Sequence, residues 1–295
     1  MKVSYYPGCT LKTKAKNMDL SAVASMKALG VELVELPRWN CCGAVFSLAE
    51  DDLLHLLAPV RDLIRVSEQG DNKLVVACSM CYNTLARANL LMREDSEKRY
   101  TINSFMEEEP DYHGEVEVVH LLNYLRDEIG WEKIEEHIKV PLTGLKVAPY
   151  YGCTLLRPQS VAIEPPGKHT LFKELLEALG TTVIDFPASA DCCSSYQILS
   201  NPDIGIQTIS RILESAQKWG ADAIATSCPL CEYNVGRRQQ DVLKKHGQLK
   251  ELPTFYFTQL MAVALGLDAE ICHFELNHGG ALQLMESKKF LARMS

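Results

Sequence analysis

Ten cysteines, set out twice in the same order, constrain this chain more than any other feature. The first set is Cys9, a gap of 31 residues, the adjacent pair Cys41-Cys42, a gap of 35, and Cys78-x-x-Cys81. The second is Cys153, a gap of 38, the pair Cys192-Cys193, a gap of 34, and Cys228-x-x-Cys231. The flanks repeat too. Tyr5-Tyr6-Pro7-Gly8-Cys9-Thr10-Leu11 resembles Tyr150-Tyr151-Gly152-Cys153-Thr154-Leu155, and an Asn closely follows each CxxC, as Asn83 and Asn234. Order, spacing and flanks agree together, so the pattern is a duplication and not a scatter of thiols.

Each copy reads as a run of alternating strands and helices. In the first half, residues 2–6, 31–36, 74–77 and 116–119 read as strands, and 19–29, 82–91 and 121–129 as helices. Ser47-Leu48-Ala49-Glu50 has the form of a capping box that opens a helix ending near Gly70, with a kink expected at Pro59. Residues 92–114, acidic around 107–109, read as an insertion, and 132–144 as a short helix and linker. The second half repeats the order with strands 146–150, 182–186 and 223–226 and helices 171–179 and 204–219; 255–265 closes the unit and a last helix is expected at 282–292. The fold class expected is α/β: two pseudo-symmetric halves, residues 1–140 and 141–295, each a mostly parallel sheet flanked by helices. The cysteines fall just past the carboxyl ends of the strands, the edge where open α/β sheets gather their ligands.

Bulk properties narrow the chemistry. The chain has 295 residues and a formal net charge of -8, with no long basic run, which argues against general nucleic-acid or anionic-membrane binding. No apolar leader and no stretch long enough to span a membrane is visible, so a cytoplasmic protein, or a peripheral subunit held by partners, is expected. Eleven cysteines in a reducing compartment point to metal or redox chemistry before structural disulfides. Thiolates select zinc, copper(I) or iron–sulfur clusters. Structural zinc takes four ligands and an ordinary cluster four cysteines, whereas each set here offers five. Spacing alone favours an iron–sulfur centre of unusual shape, with zinc and thiol–disulfide redox left open.

The pattern of Cys, Cys-Cys and Cys-x-x-Cys at these separations resembles the CCG domain, named for its Cys-Cys-Gly triplet. Two copies in tandem, with YYPGCT at the N-terminus and CPLC in the second copy, resemble the B-subunit family of heterodisulfide reductase from methanogenic archaea, over nearly the whole chain. The second triplet departs from the pattern as Cys192-Cys193-Ser194, where serine suggests a relaxed need for glycine's backbone freedom, and the second-copy spacing drifts slightly. The resemblance implies two noncubane 4Fe-4S clusters. Cys9, Cys41, Cys42, Cys78 and Cys81 would hold one, and Cys153, Cys192, Cys193, Cys228 and Cys231 the other. It also implies a catalytic role, reduction of the disulfide of coenzymes M and B, CoM-S-S-CoB, with one sulfur received on each side. Implied partners are the other subunits of heterodisulfide reductase, one with ordinary iron–sulfur clusters and one bearing flavin and iron–sulfur clusters. A hydrogenase or formate dehydrogenase would feed them in flavin-based bifurcation. No G-x-G-x-x-G run and no ferredoxin motif is present, so neither flavin nor NAD is expected in this chain and electrons must arrive from partners. The alternative within the resemblance is a non-catalytic electron-transfer or anchor role in a respiratory dehydrogenase acting on succinate, glycolate or lactate.

The remaining candidates read as structural first. Cys272 has no motif partner and is expected buried. His120 and His169 lack ligand spacing. Trp39 is placed either to shield the first pair or simply to pack. Lys12, Lys14, Arg38, Arg157 and Arg237 lie near motif cysteines and are each expected to be solvated charges before substrate ligands.

Overall fold

The structure, a computed structural model, describes residues 1–44 and 53–291. Two four-stranded sheets, parallel throughout, stand one in each half of the chain. The first joins β1 (Lys2–Tyr6), β2 (Glu32–Glu35), β3 (Lys73–Val76) and β4 (Glu117–His120) in the order β2-β1-β3-β4. The second joins β5 (Lys146–Tyr150), β6 (Thr182–Val183), β7 (Ala223–Thr226) and β8 (Thr254–Tyr256) in the order β6-β5-β7-β8. Registers match as well, with Tyr5 beside Val75 in one sheet and Pro149 beside Ala225 in the other. The central strands are apolar and buried nearly throughout, as a parallel sheet covered on both faces requires.

This strand order decides where a site can form. From β1 the chain leaves towards β2 on one side and returns to β3 on the other. The crevice beyond the carboxyl ends of β1 and β3 is therefore the topological switch point of the first sheet, and that beyond β5 and β7 is its counterpart. Cys9 and Cys78 follow β1 and β3; Cys153 and Cys228 follow β5 and β7.

The structure corrects several details. The helix expected to kink at Pro59 runs as Leu57–Glu68 after a 3-10 turn at Leu53–Leu56, so Pro59 lies in its first turn, where a missing N–H costs little. The capping box at Ser47 and the final residues of the expected last helix lie outside the described residues; that helix is Ala281–Ser287. The helix after Cys78 is longer than expected, Ser79–Glu94, and takes in Cys81. The strand expected at 182–186 is only Thr182–Val183, because Phe186 opens a 3-10 turn led by Pro187. The segment 255–265 divides into β8 and the helix Phe257–Ala264. The segment 92–114, read as an insertion, contains the helix Ser96–Phe105, and Glu109 ties it down through a bidentate pair with Arg65 at 2.5 and 2.6 Å.

One connected hydrophobic core runs through both halves. Helix Lys16–Ala28 of the first half meets helix Phe257–Ala264 of the second, with Ser21 Oγ donating to Thr258 Oγ1 at 2.7 Å. Phe257, fully buried, lies edge-on to Phe172 at 5.9 Å and tilted against His120 at 6.3 Å. His120 is structural. Its Nε2 pairs with the Ala77 carbonyl at 2.9 Å and its Nδ1 accepts from the Leu122 amide at 3.2 Å. Burial holds its pKa down at about 3, against 6.5 for an exposed histidine. A histidine kept neutral in the fold binds its proton more readily once unfolded. Its contribution is thus complete above pH 6.5 and is lost as pH falls from there towards 3. The urea midpoint is accordingly expected to drop between about pH 7 and about pH 5, and a His120→Gln variant to drop less; equal drops would remove His120 as the cause.

Candidate metal centre

Within each half the five thiols are brought together by the switch-point loops. Cys9 Sγ lies 3.6 Å from Cys41 Sγ. From there the contacts continue to Cys42, Cys81 and Cys78. The second half mirrors this, with Cys153 against Cys192, then Cys193, Cys231 and Cys228. The inner ends meet: Cys78 is in thiol contact with Cys228. Ten sulfurs therefore form one line across the molecule, five from each half. Next to that junction Ser79 N donates to the Ser227 carbonyl at 3.0 Å, and the two serine hydroxyls lie 2.7 Å apart.

The scaffold that aims these sulfurs is itself duplicated. Tyr6, last residue of β1, donates its hydroxyl to the carbonyl of Asn40 at 2.6 Å; Tyr150, last residue of β5, does the same to Asp191 at 2.7 Å. Both carbonyls belong to the residue just before a Cys-Cys pair, so each tyrosine fixes the pair to its sheet. Trp39 packs edge-on to Tyr6 at 5.8 Å and donates to Glu35. Gly8 and Gly152 lie in the left-handed region at φ 76° and 63°, and a Cβ there would stand 3.0 Å from Cys81 Sγ and 3.2 Å from Cys231 Sγ. Glycine is thus what lets the backbone carrying the first cysteine approach the last. The sequence flagged these tyrosines and glycines as repeated flanks without giving them a role; their recurrence next to cysteine was the available signal.

Ser194 overturns one expectation. It has φ 77°, the same left-handed conformation as Gly43 at φ 69°, and Ser195 follows at φ 48°. The second triplet keeps glycine's conformation without glycine, at a cost of about 1–2 kcal/mol for an L-residue. Ser194→Gly is expected to stabilise the protein by about 1 kcal/mol, read as a rise of a few degrees in melting temperature. A fall would show that the Ser194 side chain makes a contact worth more than the strain.

The electrostatics show what the sulfurs need. Contacts with Cys41 and Cys81 hold the Cys42 thiol down at about 4, and contacts with Cys153 and Cys193 hold Cys192 down at about 3. Their neighbours Cys41, Cys81, Cys153 and Cys193 are pushed up by those same contacts and by burial. Five crowded thiols cannot all ionise unless positive charge is placed among them. Arg157 lies near Cys192 and helps to lower it, with Nη1 donating to the Ala190 carbonyl at 3.0 Å. Of the candidate cations nearest the first set, Lys12 pairs with Asp19 and Glu35 at 2.9 and 2.6 Å and Arg38 with Glu68 at 3.0 Å, while Lys14 is exposed; Arg237, in the second half, is exposed as well. All five second-set cysteines line a cavity of about 240 Å³. At about 30 Å³ per water, that leaves room for an inorganic core of several atoms. Among the described residues no three of His, Cys, Asp or Glu are grouped as a single ion requires. The extended line of sulfurs, the cavity and the charge deficit fit a polynuclear thiolate cluster in each half better than lone zinc ions.

Cys272 stands apart, buried, with its thiol directed at the Gln259 carbonyl. His169 lies tilted against the Tyr151 ring at 5.5 Å.

Comparison with known proteins places this architecture. The CCG family model, described as a cysteine-rich domain, matches residues 3–86 and 147–236. The chain is 32% identical over 277 residues to the 8-methylmenaquinol:fumarate reductase membrane anchor subunit of Wolinella succinogenes, covering 93% of this chain and 95% of that one. It is 29% identical over 297 residues to the B-subunit of ferredoxin:CoB-CoM heterodisulfide reductase from Methanosarcina mazei, covering 99% and 97%. A hypothetical protein from Helicobacter pylori shares the fold, with a TM-score of 0.74 at 13% identity, over 94% of this chain and 52% of that one.

Proposed function

The chain belongs to the CCG family of cysteine-rich domains, and from that premise we propose that it is the disulfide-cleaving component of a heterodisulfide-reductase complex. In this reading residues 1–140 and 141–295 are two CCG domains. Cys9, Cys41, Cys42, Cys78 and Cys81 hold one noncubane 4Fe-4S cluster; Cys153, Cys192, Cys193, Cys228 and Cys231 hold the other. The observation that carries the proposal is the meeting of the two sulfur lines at Cys78 and Cys228, which sets two like centres side by side at the seam of the halves.

The reaction is R–S–S–R′ + 2 e⁻ + 2 H⁺ → RSH + R′SH. When bound, the clusters supply the two electrons, one from each. The protein's part is positional. Tyr6 and Tyr150 anchor the Cys-Cys pairs, Gly8 and Gly152 admit close approach of backbone to sulfur, and the Ser79–Ser227 contacts keep both halves in one register. Charge balance accompanies this, since the thiols supply the negative charge that ferric and ferrous ions offset. The disulfide is CoM-S-S-CoB, as the names of the Methanosarcina relatives indicate for those proteins. Electrons come from two partner chains, one with ordinary iron–sulfur clusters and one with flavin, fed by a hydrogenase or formate dehydrogenase, and the complex is cytoplasmic. Among the described residues no helix is long and apolar enough to cross a membrane.

A second reading follows from the Wolinella relative, whose name makes it the anchor of a quinol-linked reductase. One assay separates the two. Anaerobically purified protein, reduced viologen and CoM-S-S-CoB should yield two free thiols per two viologens oxidised. Electron exchange with a menaquinol analogue, and no thiol release, would favour the anchor reading.

A further inference from the structure

The two cysteine sets repeat, but the charges around them do not. Asp62 lies in the helix Leu57–Glu68 and is completely buried. Its Oδ1 accepts from the Asn40 amide at 2.7 Å, one residue before the Cys41-Cys42 pair, and its Oδ2 has no hydrogen-bond partner. The residue in its place in the second half is Ile212, also fully buried; both stand eight residues before the glycine that closes their helix, Gly70 or Gly220. There the matching amide, that of Asp191, donates to the Ala188 carbonyl at 3.2 Å instead. One pair is thus fixed by a carboxyl group and the other by a neutral carbonyl.

The second half carries the opposite charge. Arg157 stands four residues after Cys153, where the first half has Thr13, whose hydroxyl donates to the Cys9 carbonyl at 2.9 Å. Two contacts hold Arg157 in place. Its guanidinium donates at 3.0 Å to the carbonyl of Ala190, two residues before Cys192, and its own carbonyl accepts from Asn83 of the first half at 2.7 Å. Asn83 also donates to the Thr154 carbonyl at 2.8 Å, so it crosses the seam. Its counterpart Asn234 stands three residues past the last motif cysteine, not two, within Glu232–Arg237, which is wound as a π-helix and takes up an extra residue. Asn234 stays in its own half and donates to the carbonyls of Cys193 at 3.0 Å and Ser195 at 2.7 Å. Position 13 is therefore not held across the seam as Arg157 is.

The other ionic groups near the two sets do not cancel this difference. Arg61 and Arg65, which face Asp62, share Glu109, and Arg65 also pairs with Glu68. Lys12 is taken up by Asp19 and Glu35. Lys14 is exposed, and among the described residues no contact fixes it to its set. Glu232, buried beside Cys231, is opposed by Arg237. What remains is a carboxyl group facing Cys42 and a guanidinium facing Cys192. An electron added to either centre adds negative charge there; a carboxylate opposes it and a guanidinium favours it.

We infer that the two centres are unequal: the one held by Cys153, Cys192, Cys193, Cys228 and Cys231 takes its electron first, and Asp62 and Arg157 set that order. The inference rests on the reading of one iron–sulfur cluster per half and adds the sequence in which the two are filled. Neither residue touches a reacting atom; both act through the field at the sulfurs.

The test is a potentiometric titration of the anaerobically purified full-length protein, followed by electron paramagnetic resonance. Each centre gains one electron and dithionite is oxidised to sulfite. The titration is run at pH 9, above the value of about 8 to which burial and the Cys42 thiolate raise the Asp62 carboxyl. Cys193→Ala leaves the first centre and Cys42→Ala the second, so each is read alone. The second should be favoured for the electron by at least about tenfold, ~59 mV for one electron. Asp62→Asn, whose side-chain oxygen still accepts from Asn40, should favour reduction of the first by about tenfold. Arg157→Gln should disfavour the second by about threefold, a smaller effect because Arg157 is exposed, and Arg157→Lys should restore it. Equal midpoints in the two single-centre variants, or the reverse order, would overturn the inference, as would the expected order left unmoved by both charge substitutions. If Asp62→Asn loses its iron, the Arg157 variants decide, and an unmoved midpoint there overturns the assignment. Zinc in place of iron in the wild type would remove the cluster reading and the order with it. Two iron centres with equal midpoints would remove the order alone.

Discussion

Replacing Cys42 with alanine should lower iron from about eight to about four atoms per chain and reduce disulfide cleavage at least about a thousandfold. Cys42 is the middle sulfur of the first line, buried and in contact with both Cys41 and Cys81, so its loss opens one centre at its heart. Cys193 is the middle of the second line, between Cys192 and Cys231, and Cys193→Ala should give the same result independently. Anaerobic iron and labile-sulfide analysis checks the first part and the viologen assay the second. Neither variant touches the Cys78–Cys228 junction, so the intact half should keep its own iron. Iron lost entirely from either variant would mean that the ten sulfurs hold one shared centre. Iron unchanged would remove the varied cysteine from the ligand set.

Phe257→Ala should destabilise the protein by about 3–5 kcal/mol, the usual cost of emptying a buried aromatic site. Phe257 is fully buried and joins the halves, touching Phe172 of the second and His120 of the first. Its removal should also make unfolding less cooperative, since the core shared by the halves passes through it. Denaturant melts followed by far-ultraviolet dichroism and by fluorescence should coincide for the wild type and separate for the variant. Coincident transitions at an unchanged midpoint would show that the halves are held together elsewhere.

How much of this was legible in the sequence depended on the range of the interaction. Strands β1, β3, β5 and β7 were readable because buried parallel strands are short apolar runs, and the cysteines marked their ends. Convergence of each set was expected from the place of its cysteines just past the carboxyl ends of the strands. The short β8 was hidden, since Thr254, Phe255 and Tyr256 run straight into an apolar helix and no breaker separates them. Ser194 was misread because a residue type does not state its φ; only the backbone path past Cys193 shows that the left-handed turn survives. Asn83 and Asn234 looked equivalent because one extra residue is invisible to a pattern that tolerates drifting gaps. Glu232–Arg237 is wound as a π-turn that absorbs it, and the two amides part: Asn83 crosses the seam to the carbonyls of Thr154 and Arg157, whereas Asn234 stays within its own half on those of Cys193 and Ser195. Pairing of Cys78 with Cys228 is a contact between residues of separate copies, which no periodicity within a copy encodes.

That extra residue has a meaning in terms of ancestry. A protein assembled from two identical copies of one half would cross its seam twice, once from each copy. Winding one additional residue after Cys231 leaves the Asn83 crossing without a twin. A single insertion, far smaller than any domain rearrangement, is enough to leave a duplicated protein with two unlike sides at its seam.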